Sequence, residues 1–489
     1  MKPLMISEIK QLLRAILVNI PPKGVITGVS IDSRTCAEGD LFIAIPGENF
    51  DGHDYVDQAV AAKCAAIVVE KAPENASALD ACVMVVENTI EALGKIAKYY
   101  RRTLGCAVSV IGVTGSCGKT TTRSMIYHVL SQFKQGCQSP KNYNNNIGVP
   151  LTLLSVGRDD DFVVVEMGSN HPGEIAALSH IVEPDLAVIT SVGPSHLEGL
   201  GSVSGVIDEK AAITAGMSPS GQVFCFNDKG LLIEKMRGLV QPVVSFSLED
   251  CSDIFAKEIK RTVKGVRYVT NDNVKVKLHV DGRHNIANSL AALCVARRLG
   301  ISSEAFAGAM ATYSPPAGRM QRIKLDEIML IDDTYNANPA SVRAAVDTLS
   351  SMKQASRRIL VLGDMNELGE ASHNYHKLLG RYIASLGNID MLFTVGAKAA
   401  TIANEAINSG MRIGTVQRCV SSQRLARLIK THIHNDDIVL VKGSRALEME
   451  KVIVSLKRFK GQEPVNKGRK VRTVTVDTEK STTKRKVSR

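Results

Sequence analysis

Residues Gly112 to Thr120 read Gly-Val-Thr-Gly-Ser-Cys-Gly-Lys-Thr and meet the pattern GxxxxGK[ST] in full. The small residues Gly115, Ser116, Cys117 and Gly118 let successive backbone N–H groups curl around an anion. The helix predicted from Lys119 onward points its positive end at the same place. Lys119 adds a mobile ammonium for the outer phosphates, and the Thr120 hydroxyl stands where a nucleotide-bound magnesium needs an oxygen ligand. A glycine-rich turn can also join strand to helix for packing alone. Here an apolar run from Val108 to Val113 precedes it and a periodic sequence follows, so a bound nucleoside triphosphate is the reading.

Other residues suit the same chemistry. Glu166 ends the apolar run of residues 161–168, and His196 lies just beyond the next such run. In parallel sheets ligands collect beyond the carboxyl ends of strands, which would bring Glu166 and His196 to the phosphate loop. A carboxylate and a neutral imidazole there can serve magnesium ions that neutralise a transferring phosphoryl group. Read singly, Glu166 could be half of a salt bridge and His196 a satisfied loop histidine. Four asparagines between Asn142 and Asn146 can cap helices or offer neutral donors beside phosphate. Lys210, on a predicted helix, reads as a solvated surface charge. Asn285 and Asn288, at the start of a later helix, could read an adenine edge. Asp333, Tyr335, Asn336 and Asn338 cluster at a strand end before Pro339, and Lys442 to Arg445 repeat that arrangement. Near the start, Ser33 and Arg34 could bind a diphosphate or a uracil edge, and His53 sits in a glycine-flanked turn suited to a ligand; a polar turn needs none.

These residues must be positioned by elements in several units. At 489 residues the chain is too long for one core. Residues 1–105 form a first unit and residues 106–316 a central one carrying the phosphate loop. Residues 317–456 form a second α/β sheet, and 457–489 a basic tail. Continuous apolar strands alternating with helices predict a mainly parallel sheet covered on both faces; residues 221–280 are a strand-rich excursion. Two α/β units presenting polar strand ends invite a nucleotide clamped between them.

Composition narrows the partners. The chain has no Trp and only 4% aromatics, which argues against stacking platforms for nucleic acid. Ten cysteines without a CxxC pair, and no secretory leader, predict a reducing cytoplasm. No apolar run approaches a membrane span, so no stable membrane insertion is expected. The net charge of +11 is concentrated at one end. Residues 457–489 hold twelve Lys/Arg against three Asp/Glu and leave +2 on the rest. That stretch predicts a disordered, solubilising extension, with an anion-binding arm as the other reading.

Taken together, the motifs resemble the Mur ligases, the ATP-dependent amino-acid ligases of peptidoglycan assembly. The resemblance spans about residues 25–455. It is carried by DSR and FDGH, GVTGSCGKTTT, NNNIGVP, EMGSNHPGEI, GPSHLEGLGS, GRHNIANSLAA, AGRM, DDTYNANPASV, LGDMNELGE and LVKGSR. It implies a three-domain α/β fold with a central P-loop parallel-sheet domain and a C-terminal Rossmann-like domain. It implies ATP and Mg2+, with Gly115, Ser116, Cys117, Gly118, Lys119, Thr120 and Thr121 around the phosphates. It gives Glu166 and His196 to magnesium with Thr120, and makes Lys210 the family's carbamylated lysine, against the surface reading above. It also gives Asn285 and Asn288 to adenine, Arg319 to the γ-phosphate, Asp333 to the ribose and Asn336 to the nucleotide contact. Ser33, Arg34 and His53 would belong to a UDP-precursor site.

The activity implied is ligation of D-alanyl-D-alanine to UDP-N-acetylmuramoyl-tripeptide through an acyl phosphate, by a cytoplasmic monomer that needs no nucleic acid. A related ligase adding a single amino acid is the alternative. Two departures stand out. Lys141 replaces the glycine expected before the asparagines, and Ala211-Ala212 stand where Gly-Glu commonly follows the special lysine.

Overall fold

Val110, Ile111 and Val113 have no polar side to show water, so their strand can exist only with both faces covered. In the computed structural model that strand, Ser109–Thr114, lies inside a nine-stranded sheet. The structure describes residues 1–19, 24–352 and 356–459. Ser109–Thr114 pairs in parallel with Phe162–Glu166 on one side and Leu186–Ile189 on the other. Gly136–Gln138 closes one edge in parallel. On the other side Gln222–Phe226 and Val243–Ser247 continue the parallel run. The sheet is not parallel throughout. Ile254–Thr262, Gly265–Thr270 and Lys275–Leu278 end it as an antiparallel meander, so the strand-rich excursion extends this sheet.

The first unit holds a five-stranded sheet in the order Ile16–Leu17, Cys82–Val85, Ala66–Val69, Asp40–Ile43, Gly28–Ser30. Helix Thr89–Leu104 follows, capped by Asn88, whose side chain accepts from the Glu91 N–H. Its buried stripe of Leu93, Ile96, Ala97, Tyr100 and Leu104 has helical spacing. That stripe belongs to one apolar cluster with Leu153, Leu178 and Val182 of the central unit. Tyr100 Oη adds a 2.6 Å hydrogen bond to the Val156 carbonyl. The helix is thus as much a part of the central layer as of the sheet it follows.

The third sheet runs Gln321–Leu325, Ile328–Asp333, Asp437–Lys442, Arg357–Gly363, Met391–Val395, Val416–Cys419, parallel except for its first strand. Helix Pro339–Ser350 packs Val342 and Val346 into the cluster that also holds Ile286 and Leu290 of the central helix Arg283–Arg298. The final helix, Glu450–Phe459, takes in Lys457 and Arg458, so the basic stretch begins inside an ordered element. The rest of it lies outside the described residues. None of the ten cysteines is in a disulfide. Among the described residues no helix is long and apolar enough to cross a membrane.

Candidate active site

The phosphate loop turns on glycines that nothing larger could replace. Gly115 has φ +142° and Gly118 φ +85°, a region that disfavours L side chains. A Cβ on Gly118 would collide with Asn288 Oδ1, and one on Gly115 with Thr190 Oγ1. The loop is tied to the next strand end: Ser116 N–H donates to the Ser191 carbonyl at 2.7 Å, and Ser195 Oγ to Ser116 Oγ at 2.7 Å. Helix Lys119–Leu130 starts directly from it.

Lys119 folds back, its Nζ donating to the Gly115 carbonyl at 2.6 Å. Burial holds its ammonium below the ordinary value, opposed by the Glu166 carboxylate. Glu166 is 1% exposed and anchored where its strand ends. Its Oε1 accepts from Thr120 Oγ1 at 3.2 Å and from Asn144 Nδ2 at 3.0 Å. Its Oε2 has Arg123 Nη1 at 3.3 Å but accepts no hydrogen bond. The asparagine run divides its labour: Asn144 serves Glu166, while Asn145 Oδ1 holds the turn into helix Gly148–Leu154, accepting from Gly148 N–H at 2.9 Å.

His196 has φ +50° at the start of helix Leu197–Leu200. Its Nδ1 lies 2.8 Å from Glu367 Oε2, a carboxylate delivered by the third unit. The imidazole so close beside it holds the Glu367 carboxyl below its usual range, although Nδ1 makes no hydrogen bond of good geometry. Lys210, expected from its residue type at the surface, is 0% exposed. Its helix Val203–Ala211 turns it inward, and Nζ donates to Ser169 Oγ at 2.6 Å. Burial first, and Lys119 second, push its pKa down to about 7.

The third unit reaches directly into the loop. Arg319 stacks over the Tyr335 ring at 4.0 Å and donates to Thr120 Oγ1 at 3.1 Å. Asn338 Oδ1 accepts from Cys117 Sγ at 3.1 Å, and its Nδ2 donates to the Ser116 carbonyl at 3.3 Å. The result is a cavity of about 1000 Å³. Ser116, Cys117, Gly118, Lys119, Thr120, Glu166, His196, Arg319 and Asn336 all line it.

Other predicted residues are placed elsewhere. Gly115, within the loop, and Thr121, on the helix that follows it, are buried and do not line the cavity. Asn285 and Asn288 are buried and bonded to each other at 3.1 Å, with Asn288 behind Gly118. Asp333 pairs with the buried Lys442 at 2.7 Å and accepts from Met320 N–H at 3.1 Å. Ser33, Arg34 and His53 lie on the first unit, away from this cavity. Ser33 Oγ donates to Gln58 at 3.0 Å, and Arg34, 83% exposed, forks onto Asp32. Both His53 nitrogens are engaged, one with Asp51 at 2.6 Å and the other accepting from Glu70 N–H at 2.9 Å.

Sequence reasoning missed the roles of Arg123, Ser169 and Glu367. The signal for the last two was their place inside the motifs EMGSNHPGEI and LGDMNELGE. The donor set suits magnesium carried in on a nucleotide. Among the described residues no group of three or more His, Cys, Asp or Glu is placed to hold a metal alone. Magnesium is commonly bound through one or two carboxylates plus phosphates, and Glu166 Oε2 offers such an oxygen beside the Thr120 hydroxyl.

Three family models match successive parts of the chain: the Mur ligase family catalytic domain over residues 25–101, the Mur ligase middle domain over 113–296, and the Mur ligase glutamate ligase domain over 318–445. The chain belongs to the Mur ligase family. Within it, the UDP-N-acetylmuramoyl-tripeptide--D-alanyl-D-alanine ligase of Bacillus subtilis is 33% identical, covering 92% of this chain and 98% of its own. The enzyme of that name from Escherichia coli is 34% identical over 88% and 93%. The crystal structure of MurF from Acinetobacter baumannii superposes with a TM-score of 0.84 at 31% identity, over 94% of this chain and 99% of that one. MurF from Thermotoga maritima in complex with ADP gives 0.78 at 27% identity, over 88% and 97%. The ligases named here all carry the dipeptide ligase's name, so the single-amino-acid alternative is set aside.

Proposed function

We propose that this chain joins D-alanyl-D-alanine to UDP-N-acetylmuramoyl-tripeptide at the expense of ATP, forming the UDP-linked pentapeptide of peptidoglycan synthesis. The reading is carried by one observation: a phosphate loop, a buried carboxylate and a third-unit arginine meet in a single cavity. The names of the relatives supply the substrates.

A carboxylate oxygen is a poor leaving group, so the tripeptide's terminal acid must first take the γ-phosphoryl group, releasing ADP. The dipeptide amine then attacks the acyl carbon, and phosphate leaves as the amide forms. Lys119 and Arg319 stabilise charge on the phosphoryl oxygens, and the loop N–H groups hold the triphosphate. When bound through Thr120, Glu166 and His196, magnesium would supply further charge neutralisation. Glu367 on Nδ1 leaves Nε2 of His196 for that ligation. Lys210, with a pKa near 7, has a neutral-amine fraction able to take up CO2 as a carbamate, and Ser169 orients it. Ser33, Arg34 and His53 would hold the UDP end on the first unit; Asn285, Asn288, Asp333 and Asn336 would serve the adenosine. The enzyme acts as a cytoplasmic monomer of three domains, 1–105, 106–316 and 317–456.

The test is a ligation assay with ATP, D-alanyl-D-alanine, and precursors ending in either meso-diaminopimelate or L-lysine, read by product mass. ADP release coupled to the longer UDP-peptide is expected with one precursor. No such product from either would overturn the reading.

A further inference from the structure

The dipeptide brings a problem that the phosphate chemistry leaves open. It is a zwitterion whose amine must reach the acyl phosphate while its own carboxylate stays away. The cations of the cavity can be sorted by what already occupies them. Lys119 is folded onto the loop, and Arg319 is stacked on Tyr335 and bonded to Thr120. Lys141 also lines the cavity, three residues before the Asn144 that holds Glu166, its carbonyl accepting from Arg123 at 3.0 Å, and Leu178 and Ile181 add apolar wall. Ile181 faces Gly94 of helix Thr89–Leu104, so that wall lies toward the first unit and the UDP-linked precursor.

Arg445 is the remaining guanidinium on the cavity wall, and it comes from the third unit. It follows strand Asp437–Lys442 on a rigid platform: Gly443 and Gly363 approach so closely that a Cβ on Gly443 would lie 3.1 Å from Gly363 Cα. Ser444 Oγ then accepts from the Asn366 N–H at 3.0 Å, tying the arginine's base to the segment that carries Glu367. The Arg445 side chain is 66% exposed and, among the described residues, is held only by Glu450, at 3.0 Å on one Nη. An exposed pair of this kind is weak and exchangeable. The planar fork matches a carboxylate in two-point fashion.

We propose that Arg445 grips the terminal carboxylate of the incoming dipeptide and sets its amine toward the acyl phosphate. The assignment rests on the ligase reading above and names the determinant of acceptor selection in that site. Arg445 competes between Glu450 and the ligand, and the rim of the third unit becomes the acceptor's seat.

The experiment compares wild type, Arg445→Ala and Arg445→Lys with two acceptors, D-alanyl-D-alanine and its C-terminal amide. Wild type is expected to use the amide at least about tenfold less well in kcat/KM, as a lost charge-assisted pair implies. Arg445→Ala is expected to raise KM for the dipeptide by a similar factor and to erase the preference over the amide. Its KM for ATP and for the UDP-precursor stays that of wild type, and Arg445→Lys recovers part of the loss. An Arg445→Ala enzyme that keeps the wild-type preference, or whose loss falls on ATP instead, overturns the assignment. A wild type that makes no product with either acceptor overturns the ligase reading itself.

Discussion

Single residues decide the charge state of this cavity. Lys119 is folded back onto the phosphate loop, 2.6 Å from the Gly115 carbonyl. Lys119→Ala is expected to lower ligation about 10²–10³-fold, the range for removing one preorganised donor. Binding of the UDP-precursor, read by calorimetry, is expected to stay intact because the seat proposed for that ligand is on another unit. Lys210 gives a pH signature. Its pKa is about 7 against an ordinary 10.5, so between those values the unfolded chain binds more protons and stability rises with pH. Below about 7 the full cost of burying the cation is present. In CO2-depleted buffer Lys210→Met is expected to be more stable than wild type, by a margin greatest below pH 7. That margin shrinks above pH 7 by about 1.4 kcal/mol per pH unit, as read by urea denaturation at each pH. A margin independent of pH would remove the buried-cation account. Lys141 shows why a glycine was expected there: its φ is +44°, and its carbonyl accepts from Arg123 at 3.0 Å. The lysine bears the strain of a position that glycine fills freely.

At the scale of elements, one helix start does two jobs. Asn338 caps helix Pro339–Ser350, its Oδ1 accepting from Ser341 N–H at 2.9 Å while Ser341 Oγ accepts from Asn338 N–H at 3.0 Å. The same amide bonds Ser116 and Cys117 of the phosphate loop. Asn338→Ala is expected to cost about 1 kcal/mol in chemical denaturation from the lost cap. It is also expected to raise KM for ATP, because the loop loses its contact with the third unit. Asn338→Asp keeps an acceptor for the cap but loses the donor to Ser116, so it separates the two effects. The sequence showed Asn338 only as one of a polar cluster at a strand end before Pro339; the structure makes it a cap. Its second use was not visible there either, because the partner lies 222 residues away.

For the whole molecule, the joints differ in kind. The first and central units share an apolar cluster through helix Thr89–Leu104, whereas the third docks with polar groups around the nucleotide loop as well as apolar side chains. Polar contacts at the loop side of that joint would suit a unit that opens for substrates. At the far end, Val452, Ile453 and Leu456 of helix Glu450–Phe459 are buried. Cutting the chain after Phe459 is expected to leave kcat and the melting temperature unchanged. Cutting it before Glu450 removes those three side chains, whose burial is worth about 1.5–3 kcal/mol each, bares the core they cover and lowers the melting temperature sharply. A large fall in kcat for the longer product would give the basic tail a role in catalysis.

What the sequence determined alone were the features that depend on neighbours in the chain. These are the glycine turn into Lys119 and Thr120, the apolar strands ending at Glu166 and before His196, and the helix that follows the glycine turn. Local backbone geometry and hydrophobic periodicity carry that information within a few residues. The family resemblance extended it to the order of the three α/β units. Tertiary structure alone decided which faces turn inward. Lys210 reads as a surface lysine until its helix is packed, and Glu367 acquires meaning only when the third unit brings it 2.8 Å from His196. Asn285, Asn288 and Asp333 show the converse, polar side chains that already spend part of their hydrogen-bonding capacity on neighbours along one helix or far along the chain. The reason is physical: desolvation and long-range pairing are properties of the assembled interior, and no spacing along the chain records them.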